Sequence, residues 1–170
     1  MWAALRTLKD ALTRGLELLI IATMALLVVD VVWGVFSRYA LGEQTKWTEE
    51  LARFLLVWVA LLGGALAFRT KAHLGVDYFV NRLHPDARKL TAVVADLVVL
   101  FFAGAVLLLG GTSVVREALA LEQTTPALGW KMGYVYLALP ISGFFVVLYT
   151  VDNLMETLRG RPAGQASEGS

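Results

Sequence analysis

Cysteine is absent from this 170-residue chain, and histidine occurs only twice, at His73 and His84. Without cysteine the chain forms no disulfide, thiol nucleophile or cysteine-ligated metal site. Charged side chains make up 17% of the residues, whereas soluble domains carry about 25%. The formal net charge is only +1, so the chain lacks the strong basic excess that is typical of nucleic-acid binding. These shortages exclude several classes of enzyme and predict no nucleic-acid partner.

Apolar residues are abundant instead, because they make up 58% of the chain and form four long stretches. The stretches cover residues 16–36, 48–68, 90–109 and 130–151, and short charged segments separate them. A helix needs about 20 mostly apolar residues to cross a hydrocarbon core about 30 Å thick. We therefore predict an all-α integral membrane protein with a single domain of four transmembrane helices over residues 1–159. The small polar residues of 160–170 predict a disordered C-terminal tail.

Lysine and arginine are distributed unequally between the two sides of these spans. Ten of the 15 lie before the first span, between the second and third, or after the fourth, whereas four lie on the other side. Basic segments remain on the cytoplasmic side of a membrane during insertion. We therefore predict that both termini and the segment between the second and third spans are cytoplasmic.

Two segments outside the apolar stretches have the periodicity of amphipathic helices. The apolar residues that repeat at helical spacing are Trp2, Leu5, Leu8, Leu12 and Leu16 near the N-terminus, and Val76, Phe79, Val80 and Leu83 between the second and third spans. Such patterns suit helices that lie at a membrane surface. We predict an N-terminal and a cytoplasmic-loop amphipathic helix. Membrane lipid is the favoured contact of the first, and lipid or a partner protein is equally open for the second.

Ionisable residues also lie inside the predicted spans, where they mark either a functional site or a buried pair. Asp30 lies roughly 9 Å and Arg53 roughly 8 Å from the same end of the first two spans. Glu49 and Glu50 precede Arg53 at helical spacings. We predict that these four residues form one polar cluster that fixes helix packing, with an ion or proton site as the alternative. Asp96 in the third span could be protonated, meet a partner subunit or reach the membrane interface.

Small residues and one proline predict local features of the second and fourth spans. Gly63 and Gly64 belong to a pattern of small residues four positions apart, which lets helix backbones approach closely. The pattern leaves open whether the neighbouring helix belongs to this chain. Pro140 lies in the middle of the fourth span and lacks the amide hydrogen that would bond to Tyr136. We expect that helix to bend near Tyr136.

Catalytic and cofactor-binding arrangements are missing from the sequence. A haem-binding anchor needs histidines on facing spans, whereas His73 and His84 both lie in one loop. No glycine-rich phosphate loop is evident, and four helices are few for a complete transporter. These observations predict a non-enzymatic scaffold subunit with no cofactor and no metal. An enzyme acting on lipid through Glu49, Glu50 and Arg53 is one alternative, and an anchor for another inner-membrane complex is a second.

Short motifs near the ends of the spans carry a resemblance to a known family. They are Ser37-Arg38-Tyr39, Trp47-Thr48-Glu49-Glu50-Leu51-Ala52-Arg53, Gly63-Gly64-Ala65, Arg69, His73-Leu74-Gly75-Val76-Asp77, Thr125-Pro126-Ala127-Leu128, Tyr136 and Pro140. Together they resemble the small permease subunit of tripartite ATP-independent periplasmic (TRAP) transporters. The resemblance extends from about Leu16 to Asn153. Asp30 departs from it, because an acid is not general at this position in the family.

The resemblance implies a role within a three-part transport system of the bacterial inner membrane. A soluble periplasmic protein binds the substrate, and a large permease subunit carries the substrate and sodium sites. The small subunit packs on the large one, enlarges its scaffold against the lipid and helps form the surface where the binding protein docks. The system takes up an organic acid by sodium coupling. Candidate packing or interface residues are Asp30, Arg38, Trp47, Glu49, Glu50, Arg53, Gly63, Gly64, Arg69, His73, Asp77, Asp96 and Pro140.

Overall fold

Helices make up most of the computed structural model, which describes residues 2–40, 42, 45–69 and 85–158. The α-helices are α1 (Trp2–Ala40), α2 (Lys46–Arg69), α3 (Pro85–Phe102), α4 (Gly111–Ala120), α5 (Met132–Tyr136) and α6 (Ala138–Leu158). A π-helix, Ala103–Gly110, joins α3 directly to α4. The predicted all-α class is therefore confirmed. The predicted helix near residues 76–83 and the tail 160–170 lie outside the described residues.

Four helical stretches in the described part of the chain are long and apolar enough to cross a membrane. They are Lys9–Ala40, Lys46–Arg69, Lys89–Ala120 and Met132–Met155. This confirms the four predicted spans, although the third extends past its predicted end at residue 109. Gly110 and Gly111 keep helical dihedral angles, with φ values of −61° and −59°. The glycine pair therefore continues the helix instead of ending it.

The N-terminal segment is helical, as predicted, and it runs without interruption into the first span, so that α1 is one continuous helix. Thr13 and Leu16 are only 1% and 2% exposed. The Thr13 hydroxyl lies 3.0 Å from the Tyr149 hydroxyl of α6, and Lys9 forms an ion pair with Asp152. At Thr13 and Leu16, α1 is therefore covered by α2 and α6. The side chains of Trp2, Leu5 and Leu8, which the prediction also named, lie outside the described residues.

Helix α6 lies at the centre of the bundle and packs against α2, α3 and the π-helix, while α1 packs mainly on α2. Leu16, Leu62 and Tyr149 bring α1, α2 and α6 together in one buried cluster. A second cluster joins Ala65 of α2 and Ala103 of the π-helix to Val146 of α6. Alanine at two of these three positions lets the helix axes approach closely.

The backbones of α6 and the π-helix approach each other closely at Gly143. A Cβ atom added at Gly143 would lie 2.7 Å from Leu107 Cβ and 3.1 Å from the backbone carbon of Leu107. In a π-helix each amide bonds five residues back, so the turns are wider than in an α-helix. Because α6 presents glycine at this position, the wide turn fits against it.

The fourth span is interrupted where Pro140 predicts a disturbance. Helix α5 ends at Tyr136, Leu137 is a turn residue, and α6 begins at Ala138. Pro140 has no amide hydrogen to donate to the Tyr136 carbonyl. The amide of Leu137 still donates to the Gly133 oxygen at 3.2 Å, and Leu137 in turn accepts from Ile141. The boundary between α5 and α6 thus lies where the bend was predicted, and the bend itself stays a prediction.

The bundle has two ends that are used as reference points below. The hairpin end contains the end of α1, the start of α2 and the loop of residues 121–131. The terminal end contains the start of α1 and the ends of α2 and α6. At the terminal end Arg69 Nη1 donates to Glu17 Oε1 at 2.6 Å, and the Asn153 amide group donates to the Phe68 carbonyl at 3.1 Å. These contacts fix α2 between α1 and α6.

Candidate functional site

The loop of residues 121–131, between α4 and α5, is closed by its own hydrogen bonds. The amide of Thr125 donates to the Trp130 carbonyl at 2.8 Å, and the amide of Met132 donates to the Gln123 carbonyl at 2.8 Å. The Trp130 amide donates to the Thr125 hydroxyl at 3.1 Å. Gly129 has φ +67°, a left-handed conformation that glycine adopts without steric cost. The base of the loop is therefore a narrow hairpin.

Glu50 attaches the start of α2 to the apex of this loop. Its Oε2 atom accepts a hydrogen bond from the Ala127 amide at 2.7 Å and another from the Leu128 amide at 3.1 Å. The residue is only 8% exposed. A carboxylate that accepts two backbone amides makes charge-assisted bonds, which are stronger than bonds between neutral groups. Among the candidate residues that the structure describes, Glu50 is the one whose side chain bonds to the backbone of this loop.

The structure does not assemble the single polar cluster that the sequence predicts. Glu50 faces the loop, whereas Glu49 and Arg53 are exposed on another side of α2. Successive helix residues are about 100° apart, so Glu49 cannot share the orientation of Glu50. Asp30 is buried, and its two carboxylate oxygens have no hydrogen-bond partner among the described residues. The helical spacing was right for Glu49 and Arg53, but it did not indicate which face meets the loop.

The other charged and aromatic candidates lie at both ends of the bundle. Arg38 and Trp47 are exposed at the hairpin end, on α1 and α2. Arg69 lies at the terminal end, where it pairs with Glu17. His73 and Asp77 lie outside the described residues.

Two glycines of α2 have an open environment. A Cβ atom added at Gly63 or Gly64 would meet nothing within 4 Å. Within the part of the chain that the structure describes, the close helix approach that their pattern allows is therefore not made. By contrast, a Cβ atom at Gly111 would lie 2.9 Å from Leu139 Cβ.

Asp96 is half-buried on α3.

Sequence reasoning missed the contact between Glu50 and the loop, although its two halves were both noticed as motifs. Trp47-Thr48-Glu49-Glu50 opens α2, and Thr125-Pro126-Ala127-Leu128 forms the loop apex. Both motifs stand at the same end of the predicted bundle. That shared position is the signal that could have suggested their contact.

The fold and these contacts define a membrane subunit with four spans. Its buried and paired polar groups hold helices together and attach a loop to the bundle. The chain matches the family model described as "Tripartite ATP-independent periplasmic transporters, DctQ component" over residues 24–160. It belongs to this family of TRAP transporter small permease subunits.

Curated relatives agree with the family match. The chain is 30% identical over 159 residues to "Sialic acid TRAP transporter small permease protein SiaQ" of Vibrio cholerae, covering 92% of this chain and 90% of that protein. It is 35% identical over 100 residues to "C4-dicarboxylate TRAP transporter small permease protein DctQ" of Rhodobacter capsulatus, covering 59% and 44%. It is 28% identical over 113 residues to "Isethionate TRAP transporter permease protein DctMQ" of Oleidesulfovibrio alaskensis, covering 66% and 18%.

The family match decides between the classes of function that the sequence left open. Members of this family are transporter components and not enzymes, which confirms the prediction of a non-enzymatic subunit. An enzyme acting on lipid is therefore set aside. Four apolar spans together with the match place the chain in the inner membrane as a multi-pass protein.

Proposed function

We propose that this subunit packs on the large permease subunit of a TRAP transporter and enlarges its scaffold within the membrane. In this role it also helps dock a periplasmic substrate-binding protein, and the complete system takes up an organic acid with sodium. The relative named as a permease protein DctMQ supports the pairing, because this chain matches only 18% of its length. A longer permease protein thus contains a segment similar to this subunit.

The open side of α2 is the observation that carries the packing role. Elsewhere in the bundle, small residues such as Ala103, Ala138 and Gly143 lie where helices touch. Gly63 and Gly64 are equally small, but among the described residues nothing lies within 4 Å of a Cβ atom built at either glycine. A stripe of small residues in a membrane helix allows close approach by another helix. A helix of the large subunit is the partner that this proposal places there.

The class of substrate follows from the names of the relatives. Their names specify sialic acid, C4-dicarboxylates and isethionate, all of which are organic acids that carry a negative charge at neutral pH. We extend this class to the complex that contains the present subunit. The sodium coupling and the role of the binding protein are carried over from the resemblance.

Reconstitution tests the proposal directly. Proteoliposomes that contain only this subunit should take up labelled sialic acid, succinate or isethionate no faster than empty liposomes. Adding the large permease subunit and the cognate binding protein should produce uptake that requires an inward sodium gradient. Complexes that lack the present subunit serve as the control. Uptake by this subunit alone would contradict the proposal.

The orientation of the bundle is a second prediction, and the absence of cysteine makes it simple to test. The hairpin end should face the periplasm and the terminal end the cytoplasm, because basic residues favour the cytoplasmic side. The two reporters are Gln123→Cys, at an exposed loop position, and Lys89→Cys, at an exposed position of α3. In spheroplasts, a membrane-impermeant maleimide should label Gln123→Cys and should label Lys89→Cys only after permeabilisation. The reverse pattern would show that the charge distribution misled us.

A further inference from the structure

The contact made by Glu50 joins segments that are 77 and 78 positions apart in the chain. Its partners are the amides of Ala127 and Leu128, which form the apex of the loop. The bonds at the base of the loop, between Thr125 and Trp130, belong to the loop itself. Removing the Glu50 carboxylate leaves the base closed and also leaves the bond from the Gly129 amide to the Thr125 carbonyl (3.0 Å), but it takes away the two bonds that tie the apex to α2.

The exposed residues of the loop are both polar and apolar. Glu122, Gln123 and Lys131 are exposed polar residues, and Leu121 and Trp130 are 62% and 53% exposed. Tryptophan is enriched at the centres of protein interfaces, and polar residues form the rim around the centre. A charged loop beyond the ends of the apolar spans meets water more readily than hydrocarbon. This composition fits a folded protein that approaches from the aqueous side.

We propose that Glu50 is a positioning residue that holds the loop of residues 121–131 in the conformation that receives the periplasmic binding protein. The inference rests on the proposed function, and it adds the docking element and the residue that orders it. A loop that is already ordered loses less conformational entropy when a partner binds. Glu50 thus raises the affinity for the binding protein without touching it.

The test compares Glu50→Ala with Glu49→Ala in the assembled complex of both membrane subunits. Glu49 is the matched control, because it is the adjacent glutamate on the same helix and is exposed. With Glu50→Ala, the concentration of binding protein that gives half-maximal uptake should rise about tenfold, as expected when hydrogen bonds to a charged group are lost. The maximal uptake rate at saturating binding protein should stay unchanged. Glu49→Ala should leave both values at the wild-type level.

Loop order is measured separately, in variants that carry a spin label at Gln123→Cys. The label should become more mobile when Glu50→Ala is added and should not change when Glu49→Ala is added. Should Glu50→Ala fail to assemble with the large subunit, Glu50→Gln decides the question. Its amide oxygen still accepts hydrogen bonds but carries no charge, so a smaller rise in the half-maximal concentration is expected.

Three results would overturn the inference. One is an unchanged half-maximal concentration in the Glu50 variants despite a more mobile label. Another is an equal effect of Glu49→Ala and Glu50→Ala. The third is a spin label that lies in lipid in the assembled complex while docking is unaffected. Such a label would be accessible to oxygen but not to a water-soluble relaxant. Failure of the wild-type complex to transport with its binding protein would instead contradict the proposed function, so the two failures are distinguishable.

Discussion

Gly143→Ala is expected to lower the free energy of unfolding by about 1–3 kcal/mol, the usual cost of adding a methyl group to a packed core. The new Cβ atom would lie 2.7 Å from Leu107 Cβ and 3.1 Å from backbone atoms of Leu107 and Leu108. A side chain rotates away from a clash at small cost, but the π-helix backbone must shift as a unit. Alanine gains up to about 1 kcal/mol over glycine in helix propensity, and this gain does not offset the overlap.

The measurement is thermal unfolding of the purified subunit in detergent, followed by helical circular dichroism. Gly63→Ala is the matched control, because it makes the same exchange in a membrane helix where the Cβ atom meets nothing within 4 Å. Its melting temperature should equal or slightly exceed that of the wild type, whereas that of Gly143→Ala should fall. Equal melting temperatures for the two variants would show that the contact between α6 and the π-helix yields easily.

The features that sequence reasoning predicted well depend on neighbouring residues. Four apolar stretches predict four spans, because the length of each stretch is a local property. Pro140 predicts a disturbed helix near Tyr136, and the boundary between α5 and α6 lies there, because the missing amide bond is within the same helix. The third span continues past its predicted end at residue 109, because the glycines at 110 and 111 keep helical dihedral angles.

The features that were missed depend on residues far apart in the chain. The apolar face that includes Leu12 and Leu16 favours a lipid surface on its pattern alone. The contact of Thr13 with Tyr149, which lies 136 positions away, gives this part of α1 a protein neighbour that the pattern did not indicate. The π-helix over Ala103–Gly110 is likewise shaped by its neighbour, because it fits where α6 presents Gly143.

The candidate site residues also differ in whether their surroundings depend on nearby or on distant residues. Helical spacing correctly placed Glu49 and Arg53 on a shared face of α2. The role of Glu50 could not be read from that spacing, because its partners belong to a loop more than 70 positions later. Asp30 was expected to meet Arg53, but Arg53 is exposed and the Asp30 carboxylate has no described hydrogen-bond partner.

Gly64→Leu is expected to weaken assembly with the large permease subunit strongly while leaving the isolated subunit folded. Gly64 is exposed, and a Cβ atom there would meet nothing within 4 Å. Leucine therefore fits without strain in the subunit alone, and its melting temperature should match the wild type. In the proposed complex a helix of the large subunit lies against this glycine. A leucine side chain would force the two helices apart, because close approach in membranes needs small residues at the contact.

Co-purification of the two subunits in mild detergent measures the effect, with a tag on the large subunit alone. Gly64→Leu should reduce the recovered small subunit at least about tenfold, which corresponds to a loss of about 1.4 kcal/mol in association. Gly64→Ala keeps the residue small and should co-purify nearly as well as the wild type. Full recovery of Gly64→Leu would mean that this side of α2 faces lipid in the complex. The large subunit would then have to pack on another face of the bundle, and the open glycines would carry no contact.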